Sequence, residues 1–534
     1  AFFWAFLDAY TIGANDVANS FANAVSAKTL SYRSAVMIAC IFEFCGVVGL
    51  GSTVTDAVRK KMIQVSWFVN DPYILCLGMN CVNLGGGTWV LVATILSMPV
   101  STTHSVIGAI LGIGIAAFGP SGVNWGWTGF GAVIASWFVS PALTGVLAAI
   151  IYLATKYLVL KHPDEVAARR GIAMLPIYFF FAFGTVSGFF FIAGIPALHK
   201  TSYSITVPVS FAVGIFFAIF SIIFVQPWVK RWVLDGENLP WYTLFYHFTI
   251  PKGEMGYVED TPPEDKKGSM EAGQNFDPSM QQPMMVYNNS LQPGMPMMQP
   301  GMQMPYVMSQ NGMPMQVTGS AFGFGSVIKQ EEIREDDPGY IKWGKRLLPG
   351  FFMDVGALRE EDAAMHAKAF QAYSRTENMF KMLQLTTCCF FSLAHGANDM
   401  ANAIAPFATV WMVYSTGRVD TKAEVPIWLL VYGGLALDVG LITLGFYIMD
   451  ALGNRLTLQS PSRGFCIEIA AMFTVMTFTR LGVPVSTTHC ISGATAAVGL
   501  CNGDVGAVNW KLIGVICFGW LLTCPAAGII TGLL

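Results

Sequence analysis

Predominantly apolar runs of about 20 residues recur along this chain, and each is long enough to cross a bilayer as a helix. Examples lie around Val36–Thr53, Phe130–Ala154, Ile172–Ile195, Ser210–Val225 and Trp428–Ile448. Inside lipid every backbone N–H and C=O must be paired within its own segment or a closed barrel, so an open sheet is excluded. The charged residues agree. Only 12% of the 534 residues are charged and 54% are hydrophobic, whereas a soluble protein carries roughly 25% charged residues. The fold class expected is therefore an all-α polytopic membrane protein.

Seven apolar segments precede a long polar stretch, at roughly 1–26, 34–55, 72–97, 100–119, 124–155, 172–195 and 207–228. Five follow it, at roughly 383–411, 427–450, 462–482, 485–502 and 509–534. Those beginning at Val100 and Val485 are short and Gly-rich with polar starts, which suits re-entrant hairpins or half-helices. About 12 transmembrane or re-entrant segments are expected. The expected organisation is a membrane half over 1–228, a large loop over 229–380, and a second membrane half over 381–534. The loop is rich in Pro, Gly, Met, Gln and acidic residues over 252–338, a composition that predicts disorder. Its edges, LPWYTLFYHFTIP (239–251) and IKWGKRLLPGFFMDV (341–355), are aromatic and amphipathic and suit the membrane interface. The segment following Gly356 reads as a helix leading into the next span.

Lys28, Arg33, Lys156, Lys161, Arg169, Arg170, Lys230 and Arg231 fall on one side if the N-terminus is outside, which makes the central loop cytosolic. Arg59, Lys60 and Lys61 oppose that assignment. The sequon at Asn288 would then be cytosolic. A net charge of −3 gives no reason to expect a nucleic-acid partner. The eleven cysteines scatter through the apolar segments and read as packing residues. The methionine-rich tracts of the loop read as low-complexity sequence. The chain begins without Met, inside apolar sequence, and is expected to be trimmed at both ends.

Two motifs occur twice. GANDVAN (13–19) returns as GANDMAN (396–402), and PVSTTHSVIGAILG (99–112) returns as PVSTTHCISGATAAVG (484–499). In both halves the first precedes the second by about 85 residues. Gly46 and Asp56 pair more weakly with Gly440 and Asp450. The first repeat covers about 1–155, and two further helices complete that half. An odd number of segments separates the copies, so the repeats are expected to be inverted, with one site at their interface.

The residue types suggest the chemistry. Three consecutive hydroxyls at a helix start, beside free backbone N–H groups, can hold an oxyanion. The competing reading is that they only cap or join helices. Gly13 and Gly396 could break a helix and leave Asp16 and Asp399 within the membrane, flanked by Asn15, Asn19, Asn398 and Asn402. Carboxylates with amide oxygens suit a small hard cation, and intramembrane acids are functional by default. Glu43 and Glu468 are further acids in apolar segments. Asp438 has no acidic counterpart and could sit at a helix end. His104 and His489 follow the hydroxyls and could tune the site or merely pack. Arg480 could attract anions or reach the interface. Anion-binding tips beside acids imply that cations enter with the anion.

These duplicated motifs, with a large hydrophilic loop between them, resemble those of the PiT family of inorganic phosphate transporters, and most nearly the fungal sodium/phosphate symporters. The resemblance covers roughly 1–228 and 380–534. It implies an inverted-repeat fold, alternating access, and phosphate held by Ser101, Thr102, Thr103, Ser486, Thr487 and Thr488. It implies sodium at Asp16, Asn19, Asp399 and Asn402, with Glu43 and Glu468 close by. Ser20 becomes Ala403 and Asn23 becomes Pro406, so the halves are not equivalent. The resulting expectation is a sodium-coupled phosphate symporter of the plasma membrane, with sodium as co-transported substrate, no cofactor and no enzymatic activity. A homodimer is carried as an expectation of assembly. Proton-coupled phosphate or sulfate symport, a phosphate sensor signalling through the loop, and an anion channel are the alternatives.

Overall fold

The computed structural model describes residues 1–51, 68–127, 129–191, 201–253, 306–308, 314–316, 329–334, 336–355, 358–419, 425–481, 483 and 485–534. Expectations touching Asp56, Arg59–Lys61, Asn288, the Arg480 side chain, Pro484, the methionine tracts and the disorder of 252–338 lie wholly or largely outside them.

The first half opens with α1 (Phe2–Asn15) and α2 (Ala18–Ser26), separated by a turn at Asp16 and Val17. Then come α3 (Tyr32–Leu50), α4 (Pro72–Ile95), α5 (Thr102–Phe118), α6 (Phe130–Leu160), α7 (Asp164–Phe189) and α8 (Tyr203–Leu234). The central region contributes two short antiparallel pairs, β1 (Tyr306–Met308) with β2 (Pro314–Gln316) and β3 (Lys329–Gln330) with β4 (Met353–Asp354). It also contributes α9 (Gly339–Leu347) and α10 (Glu360–Ala367). The second half is α11 (Ser374–Thr416), α12 (Ile427–Leu444), α13 (Phe446–Asn454), α14 (Pro461–Leu481), α15 (Thr487–Leu500) and α16 (Trp510–Leu533).

Local chemistry sets many of these ends. Ser31 caps α3 by accepting from the Ser34 N–H, as N-cap serines do. Pro72 starts α4, where its missing N–H costs little. Asp164 and Glu165 face the positive end of α7. Gly417, at φ +65°, closes α11 in the left-handed region open to glycine. The stretch after Gly356 is two helices rather than one, α10 and the start of α11, with a break at 368–373.

Seven described helices are long and apolar enough to span a membrane: α3, α4, α6, α7, α8, α12 and α16. The expected total of about 12 is reached with helices of another kind. α1, α5 and α15 are shorter, at 14, 17 and 14 residues. α11 and α14 carry buried Gln384, His395, Asp399, Asn402, Arg463 and Glu468. Protein rather than lipid surrounds such polar helices. At the other extreme α8 has 11% of its apolar window buried, against 50% for α4. Trp241, Tyr242, Phe245, Phe248, Tyr340 and Trp343 stand exposed at the edges of the loop region, as interfacial aromatics would.

The two halves interlock rather than sit side by side. α1 packs along α12 and α4, and the matching α11 packs along α3 and α14. α5 lies against α16, and the matching α15 lies against α6. Four glycines permit the close crossings. A Cβ on Gly13 would strike the Leu437 carbonyl, and one on Gly440 the Tyr10 carbonyl. A Cβ on Gly46 would strike the Leu393 carbonyl, and one on Gly396 the Glu43 carbonyl. Small residues let helix backbones approach where lipid supplies no hydrophobic drive. The expected role of Gly13 and Gly396 as helix breakers is therefore corrected. The chain breaks at Asp16–Val17 in the first half, and α11 runs unbroken through Gly396 in the second.

Gly13→Val and Gly396→Val are expected to destabilise the purified protein by at least about 1–3 kcal/mol, the usual cost of overpacking. Thermal melting in detergent measures this. Gly49→Ala, whose Cβ would meet nothing within 4 Å, should melt like the parent protein.

Candidate functional site

The turn after α1 and the middle of α11 meet the starts of α5 and α15 at the centre of the molecule. Asp16 and Asp399 are both almost fully buried there, at 2% and 1% exposure. One oxygen of each and a ring nitrogen of His395 all lie within 4.8 Å of one another. The two carboxylates that the repeated motif singles out thus share one place, although 383 positions of sequence separate them.

The hydroxyl tips close around these acids. Thr102 donates to Asp16 Oδ2 through both its hydroxyl and its backbone N–H, the latter at 3.2 Å. Thr487 Oγ1 donates to Asp399 Oδ2 at 2.9 Å, the matching contact in the second half. A second matched pair crosses between halves. Asn402 Nδ2 donates to Thr103 Oγ1 at 3.0 Å, and Asn19 Nδ2 donates to Thr488 Oγ1 at 2.9 Å. Thr488 Oγ1 also reaches Asp16 Oδ1 at 2.5 Å, and Asn19 Nδ2 reaches the same oxygen at 3.2 Å. Each tip therefore holds the acid of its own half and the amide of the other.

Other expected residues have different work. Ser101 and Ser486 turn their hydroxyls back on their own helices, accepting from His104 N at 3.2 Å and His489 N at 3.3 Å. They cap α5 and α15, which is the competing reading of the hydroxyl triplet realised at its first position. Asn15 donates to Thr94 Oγ1 and the Met98 carbonyl, and its Oδ1 accepts from Val100 N at 3.0 Å. It clamps the approach to the first tip. Asn398 Nδ2 donates to Asp399 Oδ1 at 2.7 Å.

Glu43 belongs to the site through an intermediary. His395 Nδ1 lies 2.9 Å from Glu43 Oε2, and its Nε2 lies 2.8 Å from Asp399 Oδ2. Ser392 Oγ donates to Glu43 Oε1 at 2.8 Å. His395 is absent from the residues that the motifs single out. The available signal was an asymmetry between repeats, HGAND against IGAND. Glu468 sits apart, held by Thr387 Oγ1 and within 3.7 Å of Cys388 Sγ. His104 and His489 lie behind the tips, with ring centroids 4.7 Å apart and Trp137 and Trp520 against them. Neither ring has a hydrogen-bond partner at its nitrogens. Asp438 lies within α12 rather than at its end.

The electrostatics are one-sided. Glu43 and Asp399 form their described ion pairs only with His395, and Asp16 enters no described ion pair. Carboxylates this close, and shielded from water, are relieved by hydrogen-bond donors, a bound proton or a positive charge among them. Their oxygens with the Asn amides and Thr hydroxyls form the donor set of a small hard cation. The same hydroxyls, once released from the carboxylates, are neutral donors for an oxyanion.

A candidate ion site built from two duplicated motifs inside a helical membrane protein is the arrangement expected of a membrane carrier of small ions. Comparison with known proteins places it further. Residues 12–531 match the model of the phosphate transporter family, and the chain belongs to that family. It is 36% identical to the phosphate-repressible phosphate permease pho-4 of Neurospora crassa, across 99% of this chain and 95% of the relative. It is 29% identical to the human sodium-dependent phosphate transporter 2, across 96% and 93%. A solved structure of a sodium-dependent phosphate transporter superposes with a TM-score of 0.64 at 25% identity, covering 100% of this chain and 96% of that one. The expected resemblance, fold class and transport rather than enzymatic role agree with these findings.

Ser101→Ala and Ser486→Ala should each lower stability by about 1 kcal/mol, the loss of an N-cap. Melting temperature in detergent, set against retained ion binding by the purified variants, checks this.

Proposed function

We propose that this protein is a sodium-coupled phosphate symporter working by alternating access between its two halves. The observation that carries the reading is that each tip engages the acid of its own half and the amide of the other. Without a cation, Thr102, Thr487 and Thr488 spend their hydroxyl protons on Asp16 and Asp399. Sodium entering between the carboxylates takes over their charge and frees the hydroxyls. Thr102, Thr103, Thr487 and Thr488 then donate to phosphate, with Ser101 and Ser486 fixing the helix starts that present backbone N–H groups. Cation binding thereby creates the anion site, which is the physical content of coupling. Sodium is substrate here, held by Asp16, Asn19, Asp399 and Asn402, with Asn15 and Asn398 positioning the chain. Because each tip touches both halves, a shift of one half against the other must break and remake the site.

In this reading 1–228 and 381–534 are the two membrane halves, inverted relative to one another, and 229–380 is a cytosolic connection. The location is the plasma membrane. The outward apolar face of α8 suits lipid or a second copy of the chain, and the mass of the detergent-solubilised protein distinguishes monomer from homodimer.

A second reading is proton coupling. The Glu43–His395–Asp399 chain favours it, because a histidine between two carboxylates can pass a proton. The test is labelled-phosphate uptake into proteoliposomes under an inward sodium gradient, an inward proton gradient, or neither, with sulfate as competitor. Sodium-driven accumulation is expected, with Asp16→Asn and Asp399→Asn at least about 100-fold slower, the scale of losing a buried charge interaction. Accumulation driven by protons alone would overturn sodium coupling. Removal of residues 254–328 should leave uptake intact, whereas a sensor would lose its signal.

A further inference from the structure

Asp8 lies in the middle of α1, in the apolar run AFFWAFLDAY, two helical turns before Asp16. It is 1% exposed, its Oδ2 has no hydrogen-bond partner, and it enters no described ion pair. An ionised carboxylate cannot remain buried without compensation. The transport site described above does not use it.

Its surroundings are shaped around it. α4 carries Gly85, Gly86 and Gly87 in succession, and α1 presses against them. A Cβ on Gly87 would lie 3.0 Å from the Asp8 Cα, so the backbones touch there. Above Gly86 the arrangement is looser. A Cβ there would lie 3.8 Å from Asp8 Oδ1, 3.6 Å from Ser105 Oγ and 3.9 Å from Val106 Cγ2. Asp8 and Ser105 therefore border one small space, floored by Gly86. Ser105 Oγ donates to the Gly86 carbonyl at 3.0 Å and keeps its lone pairs for another partner. One turn back on the same face of α4, Asn83 is 2% exposed with an unpartnered Oδ1. Carboxylate, hydroxyl and amide oxygens make a set of hard oxygen donors.

The position has a counterpart. Asn83 stands in the same relation to Ser101 as Glu468 does to Ser486. The acid of the second half is on α14 facing α11, and Asp8 is on α1 facing α4. Each half thus carries one acid at the contact between matching helices, away from the central pair.

We infer that Asp8, with Ser105 and Asn83, is a further binding station for a small monovalent cation, sodium in the transport reading, lying on the α1–α4 contact two helical turns before Asp16. It rests on that reading for its cargo but not for its geometry. An ion there neutralises Asp8 and tightens the α1–α4 contact that carries the Asp16 turn.

The test pairs Asp8→Asn with Gly86→Ala. The alanine methyl fits at ordinary contact distances and favours the helix, so it fills the space without unfolding the protein. Purified wild-type protein without phosphate should melt at a higher temperature as sodium is added, through ligand linkage. Both variants should need about tenfold more sodium for the same shift. In proteoliposomes both should lower the sodium-to-phosphate ratio, with the phosphate KM at saturating sodium unchanged. Variants that match the wild type in sodium stabilisation and ratio would overturn the inference. So would unchanged sodium activation with an altered pH dependence in Asp8→Asn, which would place a proton there. A wild type that takes up no phosphate with sodium would overturn the transport reading instead, and the melting experiment would still decide Asp8.

Discussion

Two buried carboxylates held near one another govern this structure. Asp16 and Asp399 share one place with His395, which forms the one described ion pair of Asp399, while Asp16 enters none among the described residues. In a low-dielectric interior that arrangement is stable only when hydrogen-bond donors surround the acids or a cation joins them. The threonines of both tips supply the donors. Much of the remaining architecture serves to bring those threonines there: the serine caps that start α5 and α15, the Asn15 clamp, and the crossing of α1 and α11 over the opposite half.

The crossing itself depends on glycine. Gly13 with Gly440 and Gly46 with Gly396 form two matched contacts in which backbone meets backbone. They fix the height of α1 and α11 against their neighbours, and so the height of the two acids. The GAND motif thus has a division of labour. Its glycine sets the helix contact, its aspartate faces the site, and its asparagine steadies the chain or the acid. The GAND motif ends a helix in the first half, where Val17 follows it, and lies inside a continuous one in the second, where Met400 does. Closely similar motifs need not yield identical backbones when their neighbours differ.

Asymmetry between the halves carries functional meaning. The second half adds His395, which ties Asp399 to Glu43, and the first adds Asp8, whose Oδ2 has no hydrogen-bond partner among the described residues. Glu468 and Asp8 sit off the centre, each between helices matched by the duplication. A carrier that moves a multiply charged anion against a gradient needs several compensating cations. Distributing acids in this way keeps their mutual repulsion smaller than gathering them at one point would.

The amino-acid sequence by itself determined the helical membrane class, the duplication and the identity of the paired acids and hydroxyls. Those follow from local quantities: run length, hydropathy, and motifs repeated at one spacing. It also carried the sign of the problem, acids without bases in apolar segments, and hence the need for cations. Tertiary structure alone decided which hydroxyl serves which acid, that the serines cap their own helices, and that His395 rather than His104 or His489 joins the carboxylates. It decided, too, that Glu468 stands apart while Asp8 borders an oxygen-lined space. The reason is that these assignments depend on where α1 and α11 cross the opposite half. A helix crossing is set by side-chain and backbone contacts between segments hundreds of residues apart, which leave no local trace in either.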